Sequence, residues 1–226
     1  MADLLENYQR VLKRIKEARE RSGFQQEVTM IAVTKNVTSD LVRKASSMGI
    51  KHFGENRVQE ALQKLDDSPQ NLKWHFIGHL QTNKVKYVLP RFHMIHSLDR
   101  WSLAKELNKR ALKDGRVVDA LVQVNISEEE SKFGLSAEET EDFIKNVADS
   151  FPGININGLM TIAPYVENAE EVRPVFRRLK ELYDQITIKG VILKELSMGM
   201  TNDYEVAIEE GATMIRIGTA LFGKKY

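Results

Sequence analysis

The sequence predicts an α/β protein, a single (β/α)8 TIM barrel preceded by one additional helix. Three observations lead there. Short apolar runs with a β-branched bias alternate regularly with amphipathic helical segments, the pattern of a parallel sheet. Eight such units fit into about 200 residues, at the small end of the range for a closed barrel. The turn at 34–37 contains no glycine, whereas an open doubly wound sheet would carry a glycine-rich turn after its first strand.

The additional helix spans the N-terminal 1–23. Asp3 and Glu6 form a potential capping box, Leu4, Tyr8, Val11 and Ile15 follow helical spacing with Leu5 and Leu12 widening the stripe, and Gly23 is a stop signal. The first strand is read at 28–33. Its helix starts with Ser39 as cap, carries Leu41, Val42, Ala45 and Met48, and closes at Gly49. A short strand at 52–54 precedes a helix with Val58, Ala61, Leu62 and Leu65 that ends before Pro69. The third strand, 74–78, leads to a helix at 82–89 stopped by Pro90. The fourth, 93–97, leads to a helix with Trp101, Ala104, Leu107 and Ala111, ended by Gly115. The strand at 117–126 is expected to be the longest. A charged loop at 127–134 follows; Lys132 there suits a solvated surface, a partner contact or a second cofactor molecule. Ser136 and Glu139 make a capping box for the next helix. The remaining strands are read at 154–162, 193–197 and 213–217, with helices through Val172 to Ile186, at 202–210, and a last turn at Thr219–Phe222.

The bulk numbers agree with one globular unit spanning all 226 residues. The hydrophobic share is 42% and the charged share 29%, which excludes a disordered chain. A net charge of +1 provides no field for nucleic acid or a membrane surface. The absence of cysteine removes disulfides, thiol nucleophiles and thiolate metal sites. There is no signal-peptide pattern and no bilayer-length apolar run. The expectation is a soluble cytoplasmic protein that binds neither nucleic acid nor membrane.

In a barrel, function gathers at the C-terminal ends of the strands. The stretch 30–35 is an apolar strand that ends on Lys35. That lysine is either a snorkelling strand-end residue or an amine that forms a Schiff base with a carbonyl. Further strand ends supply Glu55, Asn56 and Arg57, then His79, then Thr161 and Pro164. The last two carry Ser197, Met198, Gly199, Met200 and Thr201, and then Arg216, Ile217, Gly218 and Thr219. Loops seven and eight are where barrels often bind phosphate, glycines admit close backbone approach, and a helix starting at Thr219 would aim N–H groups at an anion. This places a phosphate cup across the barrel mouth from Lys35. Arg216 is read as a cation inside the barrel, with Glu55 as a possible buried counter-ion. His79 could serve as a general base or a plain polar residue. His75, His93 and His96 lack metal-ligand spacing, so no metal is assigned. Lysine plus phosphate cup fits pyridoxal phosphate, and it also fits a Schiff-base aldolase acting on a sugar phosphate.

A set of motifs narrows this. They are Ala32-Val33-Thr34-Lys35, Phe53-Gly54-Glu55-Asn56 with Val58-Gln59-Glu60, and the run from His75 through Gly78 and His79 to Lys84. Further along come Val124-Asn125-Ile126 with Lys132 and Gly134, Gly158-Leu159-Met160-Thr161, Ser197-Met198-Gly199-Met200-Thr201, and the run from Arg216 to Gly223. Nearly end to end, the chain resembles the pyridoxal phosphate homeostasis protein family, whose barrel is similar to the N-terminal domain of alanine racemase, a fold-type III pyridoxal phosphate barrel. Many relatives have serine where Thr201 stands, and the hydroxyl is kept. The resemblance implies that Lys35 carries the cofactor as a Schiff base. It implies that Ser197, Thr201, Gly218 and Thr219 bind its phosphate, that Gly199 and Met200 shape the phosphate loop, that Arg216 faces the pyridine nitrogen, and that Asn56 and His79 line the ring pocket.

An arginine at the pyridine nitrogen leaves that nitrogen unprotonated and weakens the ring as an electron sink. Racemisation needs two acid–base groups on opposite faces of the substrate. In alanine racemase the second is a tyrosine supplied through a second domain and a dimer partner, and no such domain follows the barrel here. The expectation is therefore a monomeric, non-catalytic protein that buffers pyridoxal phosphate or delivers it to apo-enzymes. The alternatives are a weak racemase using Tyr165 as second acid, and a barrel binding another phosphorylated metabolite.

Overall fold

The computed structural model describes residues 4–129 and 132–223. Its eight parallel strands close in sequence order into a barrel. They are β1 (Thr29–Val33), β2 (His52–Glu55), β3 (Lys73–Phe76), β4 (Met94–Leu98), β5 (Val118–Gln123), β6 (Ile154–Met160), β7 (Glu195–Met200) and β8 (Met214–Ile217). Side chains alternate between two apolar layers. Inside, Ile31, Met94, Leu121, Met160 and Met214 form their own buried cluster. Outside, residues such as Ala32, Phe53, Phe76, Ile95 and Leu159 pack under the helices.

The helices are α1 (Leu4–Arg21), α2 (Ser39–Ser47), α3 (Val58–Asp66), α4 (Val85–Val88), α5 (Trp101–Lys113), α6 (Ala137–Ser150), α7 (Arg173–Gln185), α8 (Tyr204–Glu209) and α9 (Thr219–Phe222). The extra helix α1 buries Leu4, Asn7, Val11, Ile15 and Ala18, while Leu5 and Leu12 stay over 40% exposed, so its apolar stripe is narrower than expected. It packs on α8 and α9, and Asn7 Nδ2 donates to the Leu221 carbonyl at 3.0 Å. The expected Asp3 cap lies outside the described residues.

Several local expectations need correction. The cap of α2 is Thr38, whose hydroxyl accepts from the Leu41 N–H at 3.4 Å; Ser39 is helical and donates instead to Asp67. The third helix is a 3-10 turn (Thr82–Lys84) followed by only one α turn. Strand β5 has six residues and β6 seven, so the expected longest strand is not the longest. Val124 still donates to the Met160 carbonyl of β6 at 2.8 Å, and the chain leaves the sheet at Asn125, whose N–H donates to the Leu135 carbonyl across the following loop. Lys132 in that loop pairs with Glu129 at 2.6 Å. The capping box of α6 is present, with Ser136 and Glu139 exchanging hydrogen bonds.

Glu55 is not the partner of Arg216. It alternates with the inward Gly54, so it points out of the barrel, where Lys64 of α3 meets it at 2.5 Å. Lys64 also donates to the Thr34 carbonyl at 2.6 Å, and Thr34 Oγ1 donates to Glu55 at 2.5 Å. This buried clamp holds the backbone immediately before Lys35.

Candidate functional site

The strand ends surround a cavity of about 710 Å3 at the C-terminal mouth, a size suited to a small-molecule ligand. Lys35, Asn56, Met200, Thr201, Arg216, Gly218 and Thr219 all line it. Because the barrel closes, β1 pairs with β8, with Ile31 opposite Arg216 and Ala32 opposite Ile217. The cup formed by the last two strands therefore sits beside Lys35, not across the mouth as the strand count suggested.

Lys35 follows β1 and is exposed to the cavity. Asn36, next in sequence, takes φ 58°, a left-handed conformation that asparagine tolerates. Among the described residues the Lys35 ammonium makes no ion pair or hydrogen bond. Asn56 contributes a buried Oδ1 with no hydrogen-bond partner. Arg216 closes the floor. Its Nη1 donates to Ser197 Oγ at 2.7 Å and its Nη2 to the Thr161 carbonyl at 2.8 Å. Full burial lowers its pKa to about 10, opposed by the charge of Asp203, so it remains a guanidinium at neutral pH. Burial in turn raises the Asp203 pKa, against the pull of the Met200 N–H and Arg216.

At the rim, Gly218 caps α9 without a side chain, and the Thr219 N–H has no acceptor among the described residues. A Cβ built on Gly218 would touch only Val33, at 3.7 Å. Protein packing does not demand glycine there; the open side faces the cavity. Gly199 is the opposite case. It has φ 90°, and a Cβ would stand 2.6 Å from that of Ala207 and 2.9 Å from the Tyr204 Cα. It lets β7 turn onto α8 and does not line the cavity.

Two other expected residues also lie off the cavity. Ser197 is fully buried inside the barrel, where its hydroxyl meets Arg216 and His96. It supports Arg216 from below instead of reaching the cup. The reason is strand length: β7 continues to Met200, so Ser197 lies within the sheet. His79 stacks on Phe133 with ring centroids 3.9 Å apart and its Nδ1 3.4 Å from Asp99 Oδ2, away from the cavity lining.

Known proteins share this arrangement of chain. The family model for the alanine racemase N-terminal domain matches residues 7–225. A pyridoxal phosphate homeostasis protein of Aquifex aeolicus is 47% identical over 223 residues, 97% of each chain. The chain belongs to the pyridoxal phosphate homeostasis protein family. The Pseudomonas aeruginosa member is 39% identical over 230 residues, covering 100% of this chain and 97% of its own. Among solved structures, PipY of Synechococcus elongatus with PLP bound superposes with a TM-score of 0.80 at 36% identity, over 93% of this chain and 99% of that one.

For this homeostasis family member, sequence reasoning missed two contributors to the cavity and part of a third. Asp203 accepts from the Met200 N–H at 2.6 Å and is the counter-charge of Arg216. An aspartate three residues after a strand end is a turn signal that could have been read. Gly78 lets the third loop press on Asn56, whose carbonyl oxygen a Cβ would approach to 2.3 Å. The loop at 162–166 forms a wall of Ile162, Ala163, Pro164, Tyr165 and Val166. Pro164 and Tyr165 were read from the sequence as strand-end and candidate acid residues; the apolar Ala163 and Val166 carry no motif to announce them.

Proposed function

We propose that this chain binds pyridoxal 5'-phosphate and serves its homeostasis in the cell, with Lys35 as the covalent tether. The observation that carries the reading is one cavity containing an unengaged lysine amine, a buried guanidinium, and a rim with spare backbone N–H and room at Gly218. These residues fit the cofactor. An aldehyde needs an amine, a phosphate needs N–H and hydroxyl donors, and the unpartnered Asn56 Oδ1 accepts a polar ring substituent. When bound, pyridoxal phosphate supplies an aldehyde for amine capture and a ring that can withdraw electrons.

Each residue then has a role. Lys35 holds the aldehyde carbon through Nζ. Gly218, Thr219 and Thr201 bind the phosphate. Arg216 donates to the ring nitrogen and, as a permanent donor, keeps a proton off it. Met200 borders the phosphate loop and Asn56 the ring. Ser197 and Gly199 shape this site from below and behind.

The same geometry supports little or no catalysis. Besides Lys35 and the Arg216–Asp203 pair, the only acid–base side chain lining the mouth among the described residues is Tyr165, which is 84% exposed. A phenol held so loosely is poorly placed to deliver a proton to a fixed carbon. We infer a monomeric cytoplasmic carrier, one domain over its whole length, that passes its cofactor to apo-enzymes through the open mouth. No helix among the described residues is long and apolar enough to cross a membrane. Incubation of the loaded protein with L-alanine in deuterated water tests the carrier role. No α-proton exchange above the rate of free cofactor is expected; exchange at an enzyme-like rate would overturn it in favour of a racemase.

A further inference from the structure

The barrel interior holds a line of polar groups below the cavity. His52 opens β2, half-buried near the N-terminal mouth. Its Nδ1 lies 2.9 Å from His75 Nε2, and His75 Nδ1 lies 2.9 Å from His96 Nε2. His96 Nδ1 is 3.0 Å from Ser197 Oγ, which accepts from Arg216 Nη1 at 2.7 Å. His75, His96 and Ser197 are fully buried. Among the described residues no cluster has metal-binding geometry, so metal coordination does not account for the histidines.

The direction of the line follows from what each group can donate. A guanidinium has no acceptor. Ser197 Oγ therefore accepts from Arg216, and its hydroxyl proton has one partner left, His96 Nδ1. An accepting Nδ1 puts the proton of neutral His96 on Nε2, which donates to His75 Nδ1. The same step repeats from His75 Nε2 to His52 Nδ1, leaving His52 Nε2–H toward the N-terminal mouth. The reverse polarity would make His96 Nδ1 a second donor to Ser197 and strand the serine proton in the core. Burial also holds the His75 and His96 imidazoles well below their ordinary pKa, and the charge of Arg216 adds to this at His96.

We propose that Ser197, His96, His75 and His52 form one polarised hydrogen-bond chain, every imidazole neutral and protonated on Nε2, that positions Arg216 beneath the cavity from the opposite end of the barrel. These are positioning residues. Their effect on the cofactor's ring nitrogen rests on the functional reading above; the polarity of the chain does not.

The test begins with the cofactor-free full-length protein, labelled with 15N-histidine, near neutral pH. Slowly exchanging imidazole N–H signals are expected from His96 and His75, each on Nε2, with 15N–15N couplings across the hydrogen bonds to Nδ1 of His75 and His52. A proton on Nδ1 in either coupling, or an imidazolium at either residue, would overturn the proposal without any variant. In Ser197→Ala the loss of these signals as far away as His52 is expected, since no donor then selects a direction. Unchanged His75 and His52 signals in a folded Ser197→Ala protein would contradict it. Ring-15N pyridoxal phosphate supplies the last readout: its nitrogen resonance should move in Ser197→Ala relative to wild type, and an identical resonance would refute the positioning role. Failure of the wild-type protein to take up the cofactor would count against the functional reading alone, because the cofactor-free spectrum decides the chain.

Discussion

Two glycines at the ends of adjacent strands separate binding from folding at the scale of single residues. Gly218 has room for a methyl group on the cavity side, with Val33 at ordinary contact distance. Gly218→Ala should leave stability within about 0.5 kcal/mol while weakening pyridoxal phosphate binding at least about tenfold, about 1.4 kcal/mol. Gly199→Ala should do the reverse, costing about 2–4 kcal/mol of stability through its left-handed φ and the clash with α8. Paired denaturant titrations and cofactor titrations check both; equal affinity for Gly218→Ala and wild type would remove Gly218 from the site. Lys35, Asn56, Thr201, Arg216 and Thr219 were legible as cavity residues because chemistry-bearing side chains at strand ends point to a barrel mouth. Ser197 and Gly199 were not, because one lies inside the sheet and the other turns toward α8, and residue type does not say which. The histidine line was invisible for a related reason. His52, His75 and His96 stand on three different strands, so their adjacency exists only once the barrel has closed.

Among the elements, β2 and α3 meet through an ion pair buried to 0% exposure at Glu55 and 9% at Lys64. Removing one partner strands the other in a low-dielectric layer. Lys64→Met should cost about 3–5 kcal/mol, and Lys64→Met with Glu55→Leu should recover most of it. Unfolding in urea is the measurement, and a Lys64→Met loss below that of an ordinary surface substitution would show that the pair does not clamp the strand end. The order and type of the elements were readable from periodicity and turn residues, and the α6 capping box was readable residue by residue. The shorter third helix and the length of β5 were not. Val85, Val88 and Leu89 are buried by tertiary contact, and apolar spacing alone does not separate one α turn from two. From Asn125 a loop pairing replaces the sheet, a choice that β propensity does not record.

For the whole molecule, closure is the decisive event. It makes β1 and β8 neighbours, joins Lys35 to the Arg216–Thr219 rim, and buries the histidines beneath. Desolvation lowers the His52 pKa to about 4, with the charges of Lys73, His93 and Lys51 adding to it, and lowers His75, His96 and His93 as well. The sign of the linkage follows. Below about pH 6.5 the unfolded chain binds protons on these imidazoles, while the folded barrel does not until its own lower pKa values are reached. Stability contributed by neutral histidines is therefore complete above about pH 6.5 and falls as pH drops toward 4. Thermal unfolding across that window should show Tm flat at the upper end and declining below it, with a shallower decline in His52→Asn; a Tm that holds steady down to the His52 pKa would contradict neutral burial. The proposed Lys35 tether is read directly in the visible spectrum. Wild-type protein mixed with pyridoxal phosphate and freed of excess should be yellow, with a visible absorption band that Lys35→Ala lacks although it stays folded. A folded Lys35→Ala protein with the same band would contradict the account, and so would a wild-type protein with no band at all.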